Sequence, residues 1–313
     1  MRVRVRYLLL IWIIAGCSVV SAQPRIITSD ISNFWTAYDS ILKAKEPDQQ
    51  EKIISDLYLS KASPGLTELI RLRKLTPQRY VEVISKYPRF WSSIRRPTLQ
   101  LTAGDVAVDA VMGRFNSYFP AATADLFFVI GCVATGGTTD KNHVLIGTEI
   151  AAATAATDAS ELNPSLKNIF SQQQGIDYFV AHELVHTQQG PVNGTLLAQC
   201  LKEGVADFMA ELMLQRPLRT PYIIYGEAHQ DELFSKFAEE SNKKDFTNWL
   251  YNGSKRLDGS GDAGYFVGYV ICKEYYEKAT DKEAALKEIR NLEYENSKKL
   301  REFVKKSGIY IVR

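Results

Sequence analysis

Two histidines four residues apart with a glutamate between them, His182-Glu183-Leu184-Val185-His186, constrain this chain more than any other stretch. On an α-helix, residues four apart lie on one face about 6 Å apart along the axis, so both imidazoles can reach one metal ion with Glu183 beside them. A catalytic zinc takes three protein ligands and leaves its fourth position for water. The third ligand must come from elsewhere, and Glu203 is the candidate. It lies on a second apolar stretch, Leu196 to Leu214, separated from the first by Gly190-Pro191-Val192-Asn193-Gly194. Those five residues stop one helix and start another. Helices joined by a short loop pack as neighbours, and Gly204, Ala206 and Ala210 would permit their close approach. Asp207, one turn after Glu203, is placed to accept a hydrogen bond from the second ring nitrogen of a ligand histidine.

The surroundings argue against coincidence. The chain has only 4 His, and the flanks of the pair are Phe179, Val180, Ala181, Leu184 and Val185. A chance match would sit on a charged, wet face.

His182-Glu183-x-x-His186 with Glu203-x-x-x-Asp207 resembles the gluzincin class of zinc metallopeptidases, whose third ligand is a glutamate on a downstream helix with an aspartate one turn later. Three stretches extend the likeness: Ala181 to Gln189 around the histidines, Lys202 to Phe208 around Glu203, and Gly264-Tyr265-Phe266-Val267-Gly268-Tyr269. Over roughly residues 126–279 they resemble a group of exported bacterial proteins described as predicted zinc-dependent proteases. The resemblance implies a zinc hydrolase class and names no substrate.

Residues 1–22 read as an export signal, with Arg2, Arg4 and Arg6 before a short apolar core that is too short to span a bilayer comfortably. Ile14-Ala15-Gly16-Cys17 resembles a lipobox, which would leave a lipidated Cys17 as a membrane anchor; Val20-Ser21-Ala22 offers ordinary cleavage instead, giving a soluble periplasmic or secreted protein. Either way the mature protein is expected outside the cytoplasm, in the cell envelope if the anchor is used. Cys132, Cys200 and Cys272 remain, an odd number that excludes a disulfide-stapled scaffold and reads as buried small residues. Cys200 stands three residues before Glu203 without the paired spacing of a zinc ligand.

A formal charge of +2 with 24% charged and 45% hydrophobic residues excludes a disordered chain and a nucleic-acid surface. Apolar residues recurring at three and four predict helices over 32–45, 50–59, 66–72, 77–85 and 103–118. The pattern changes at Leu126-Phe127-Phe128-Val129-Ile130 and at His143-Val144-Leu145-Ile146-Gly147, which read as strands. Gly136 and Gly137 between them read as turn glycines. This strand region fits an ordinary hairpin and fits equally an edge that receives an extended substrate. Helices return over 227–238, 246–251, 264–279 and 282–292. The expected fold is therefore α+β and predominantly helical: a zincin-like core with a small sheet before the active helix. A helical region over 23–120 precedes a catalytic region over 121–313 that ends in a helical subdomain.

Zinc would make a bound water acidic, Glu183 would serve as general base, and peptide or protein would be the substrate. Tyr265 is the candidate oxyanion donor, with His229 as rival. The alternative is an exported metal-binding lipoprotein acting as a binding or assembly factor without peptidase activity. Glu183 separates the two, since a structural zinc site needs no base beside an open position.

Overall fold

The computed structural model describes residues 24–171, 175–253, 256 and 260–309; residues 1–22, with Cys17, lie outside them. After a two-residue strand β1 (Ile26–Ile27) come six helices: α1 (Ser29–Ile41), α2 (Pro47–Leu57), α3 (Pro64–Arg73), α4 (Pro77–Lys86), α5 (Pro88–Gln100) and α6 (Val106–Tyr118). Proline opens α2 to α5, where its missing N–H would have had no helical partner anyway. Five of the six fall where periodicity puts them. The sixth, α5, carries Pro97 near its end, and proline with Arg95-Arg96 hides a helix whose buried stripe is Phe90, Trp91, Ile94 and Thr98. That stripe meets α1, where Trp35 donates to Thr98 Oγ1 at 2.9 Å.

The sheet continues with β2 (Asp125–Val129), β3 (Gly137–Asp140) and β4 (His143–Gly147), in the spatial order β1-β2-β4-β3. Strands β1, β2 and β4 run parallel, and β3 returns antiparallel along β4, pairing Thr138 with Leu145 and Asp140 with His143. The two predicted strands are thus parallel neighbours and not a hairpin. Their nearly continuous apolar runs suit strands covered on both faces. What reads as a loop is strand β3, whose Gly-Thr-Thr-Asp is only half-buried and suits an edge.

Among the described residues nine further α-helices follow: α7 (Thr148–Ala151), α8 (Pro164–Ser171), α9 (Ile176–His186), α10 (Leu196–Leu214), α11 (Pro221–Ala228), α12 (Gln230–Glu240), α13 (Ala263–Lys278), α14 (Lys282–Arg290) and α15 (Ser297–Ser307). The stretch 246–251, expected as a helix, forms turns. Its groups are committed elsewhere: Trp249 donates its ring N–H to Glu240 at 2.7 Å, and Asp245 caps the Thr247 N–H at 3.0 Å. No helix among the described residues is long and apolar enough to cross a membrane.

One buried cluster runs from Ile31 to Val304, so the N-terminal helices, sheet and C-terminal helices share a core. Tyr58 and Tyr80 pin this junction by donating to the Ile130 carbonyl just after β2, at 2.7 and 2.8 Å. Cys132, Cys200 and Cys272 are buried free thiols. The closest helix contact joins α10 to α13: a methyl group at Gly204 would lie 2.0 Å from the Gly268 carbonyl carbon, and one at Gly268 would lie 1.9 Å from the Cys200 oxygen. Gly204 therefore brings α10 against α13, whereas the sequence suggested α9.

Candidate metal centre

Helix α9 presents His182 and His186 on one face, and α10 crosses it to bring Glu203 between them. His182 Nε2 lies 3.0 Å from His186 Nε2 and 3.4 Å from Glu203 Oε2, while His186 Nε2 lies 3.2 Å from the same oxygen. Tetrahedral zinc with bonds near 2.05 Å sets its ligand atoms about 3.3 Å apart. The triangle has the size that such an ion requires.

The outer hydrogen bonds decide which atoms face inward. His182 Nδ1 is 2.8 Å from Asp207 Oδ1, and His186 Nδ1 is 2.6 Å from Gln189 Oε1. The orientation of the Gln189 amide is fixed because its nitrogen donates to the Lys202 carbonyl at 2.8 Å and to Tyr294 Oη at 3.0 Å. Each imidazole thus carries its proton on Nδ1 and aims a lone pair inward from Nε2. Two nitrogen lone pairs and a carboxylate oxygen meeting in a nearly dry space repel one another unless a cation lies between them. The residues fit a divalent metal.

Asp207 is wholly buried and held from three sides: besides His182, Tyr178 donates to Oδ1 at 2.9 Å and Tyr222 to Oδ2 at 2.8 Å. Glu203 Oε1, turned away from the triangle, accepts from Tyr251 at 2.7 Å and from Gln199 at 3.3 Å. These bonds leave Oε2 for a metal. A proton can take the place of that cation: burial works against the imidazolium of His182, but hydrogen bonds to Asp207 and Glu203 outweigh it and hold the ring well above its ordinary range. Burial likewise opposes the charge of Glu203, and the neighbouring His186 and His182 reverse this and hold it well below.

Glu183 lies beside the triangle, pressed by the edge strand. Thr139 Oγ1 stands 2.9 Å from Glu183 Oε2 and 2.9 Å from its carbonyl oxygen. A methyl group at Gly137 would lie 2.7 Å from Glu183 Cγ, and one at Gly136 would lie 2.4 Å from the Phe179 ring. These glycines, read in the sequence as turn formers, take no left-handed conformation. They are small because α9 passes directly against them.

Tyr265 lines the same cleft, its ring stacked 6.1 Å from that of His182. Burial, reinforced by Glu203, pushes its phenol well above the usual range, so it remains a hydrogen-bond donor. The structure places His229 away from the cleft, exposed, with its ring stacked 4.0 Å from Tyr225 and Nδ1 against the Tyr225 carbonyl at 2.8 Å. Cys200 turns from the triangle toward Gly264. Sequence reasoning assigned no role to Gln189, Thr139 or Tyr251. Gln189, three residues after His186, carries a helical-spacing signal that could have found it; the other two come from distant segments and carry none.

Two histidines on one helix, one buried and one partly buried, completed by a buried glutamate from the next, form a donor set that could hold one metal ion, with one side open to a cleft of about 850 Å³. Residues 154–296, which hold all three donors, match the model of a family described as predicted Zn-dependent protease (DUF2268). No curated protein and no solved structure matches the chain.

Proposed function

We propose that this protein is a zinc-dependent peptidase that hydrolyses peptide bonds with Glu183 as general base. The observation that carries the reading is the convergence of His182 Nε2, His186 Nε2 and Glu203 Oε2 within 3.0 to 3.4 Å, with both Nδ1 atoms already engaged. A zinc ion held there supplies Lewis acidity to a water and to the scissile carbonyl.

The chain's own residues do the rest. Edge strand β3 offers its free side to an extended peptide, orienting the carbonyl over the triangle. Glu183 takes the proton of the attacking water and returns it to the leaving amine, and Thr139 fixes the carboxylate for both transfers. Tyr265 donates a hydrogen bond to the oxyanion of the tetrahedral intermediate. Asp207 and Gln189 keep the two imidazoles in the tautomer that presents Nε2. We place this chemistry outside the cytoplasm, on the support of the basic-apolar segment ending at Cys17.

The test is metal content and casein hydrolysis by the purified protein beside Glu183→Gln. One equivalent of zinc in both, with cleavage only in the wild type, is expected. Zinc without cleavage of casein or of a mixed peptide pool in either protein would favour a metal-bearing envelope binding factor, and absence of zinc from both would sink the reading.

A further inference from the structure

The cleft around the triangle is divided unevenly by charge. Among the described residues its acidic lining consists of Glu183 and Glu203, and its aliphatic lining is limited to Ala121 and Ala122. Two carboxylates balance a divalent ion, so the remaining charges set the sign of the field, and these are Arg73, Lys141 and Lys202. Among the described residues none of the three lies within ion-pair distance of a carboxylate. Arg73 donates to Thr135 Oγ1 at 3.4 Å and Lys202 to the Gly190 carbonyl at 3.3 Å. Lys141 follows Asp140, whose carboxylate is already taken by Arg71 at 2.5 Å. By contrast, Arg89 and Arg95 elsewhere in the chain are paired, with Glu161 at 3.1 Å and Asp39 at 2.6 Å.

Their placement follows the substrate path. Arg73 reaches Thr135, two residues before β3, and Lys141 immediately follows its last residue. A four-residue strand spans about 13 Å, so a peptide laid along it passes a cation beyond each end. Lys202, the residue before Glu203, faces the path from the helical wall. Among the described residues this lining forms no apolar pocket for a large hydrophobic side chain.

We propose that the substrates are acidic peptide segments, with Asp or Glu on both flanks of the scissile bond and a small or polar residue at its centre. This rests on the peptidase reading and specifies the substrate class of the same cleft. Fields from partly exposed cations act over roughly a Debye length, about 8 Å at physiological salt, so the preference appears in binding and KM rather than in kcat.

The experiment uses three internally quenched peptides with one neutral centre and flanks of Glu, Gln or Lys. Binding is read by anisotropy on zinc-loaded Glu183→Gln, and hydrolysis on the wild type. The Glu-flanked peptide is expected to bind about tenfold tighter than the Gln-flanked one at low salt, with the gap closing as salt rises. Arg73→Gln and Lys141→Gln, both at exposed positions, should each narrow it several-fold with zinc content and kcat unchanged. Equal binding of all three peptides, or tightest binding of the Lys-flanked one, overturns the inference even where hydrolysis proceeds. Preferential binding of the Glu-flanked peptide with no hydrolysis by the wild type upholds the charge preference and overturns the peptidase reading instead.

Discussion

The two walls of the cleft are built on opposite principles. On the helical wall, His182, His186, Glu203 and Asp207 come from α9 and α10, two consecutive helices within the stretch that matches the protease family model. On the strand wall, Gly137 and Thr139 come from β3, outside that stretch, and reach Glu183 across more than forty residues of chain. The helical wall supplies donor atoms and is fixed by helical periodicity. The strand wall supplies position and is fixed by a sheet register that no local pattern encodes. One wall should therefore decide whether metal is held, and the other how well it is used.

The sharpest way to break that division is His186→Ala. It removes a donor, and both zinc and activity should be lost, with kcat/KM falling a thousandfold or more, on the order of a full catalytic group. Inductively coupled plasma analysis beside the casein assay checks this; an active, zinc-loaded variant would contradict the metal assignment.

The base of the strand wall is the next target. Glu149 is wholly buried, accepts the Gly131 and Val133 N–H groups at 2.8 and 2.7 Å through Oε1, and has no partner for Oε2. It holds Cys132 and Val133 at φ of 58° and 55°, a costly conformation for side chains of this kind. Burial, partly offset by these N–H groups, raises its pKa to about 7. The native state thus retains a proton that the unfolded chain releases near pH 4.5. The stabilisation is complete below that value, declines as pH rises, and is gone above about 7, a swing of about 3 kcal/mol. Urea unfolding between pH 5 and 8 should show wild-type stability falling relative to Glu149→Gln; parallel curves would refute the buried titration.

Gly137→Ala probes the strand wall at the base itself. The added methyl group forces Glu183 aside, and kcat should fall on the order of a hundredfold, the cost of misplacing a catalytic group by about an ångström. Zinc content should stay at the wild-type level, and a variant that loses zinc would erase the distinction between the walls. Tyr251→Phe gives the smallest effect. Without its hydrogen bond, Glu203 Oε1 keeps only Gln199, and zinc affinity should weaken about tenfold in a chelator competition. An unchanged affinity would show that Tyr251 does not orient the ligand.

The same division explains what a sequence reader can see. Helices α9 and α10 are legible because their apolar flanks, four-residue spacing and Gly-Pro break all lie within forty residues. Strands β2 and β4 are legible as apolar runs, but their parallel pairing is not, since it depends on the intervening β3 pairing with the far side of β4. Gly137 is visible as a glycine and misread in purpose: a glycine for a turn and one for close approach look alike until the neighbour is known. Tyr251 shows no signal, because its hydroxyl meets Glu203 from 48 residues away. Helix α5 stays hidden behind Pro97, where local propensity yields to the packing of Trp91 and Ile94.

The main-chain contact between Gly204 and Gly268 sets the size of the smallest portable unit of this site. Side chains between two helices act as adjustable shims; at this crossing point there are none, and any change in the spacing of α10 and α13 there is felt at once by Glu203 on one and Tyr265 on the other. A graft of the α9–α10 pair onto another scaffold would leave a strip of bare backbone facing nothing and the ligand helix free to roll. Three helices, not two, must travel together.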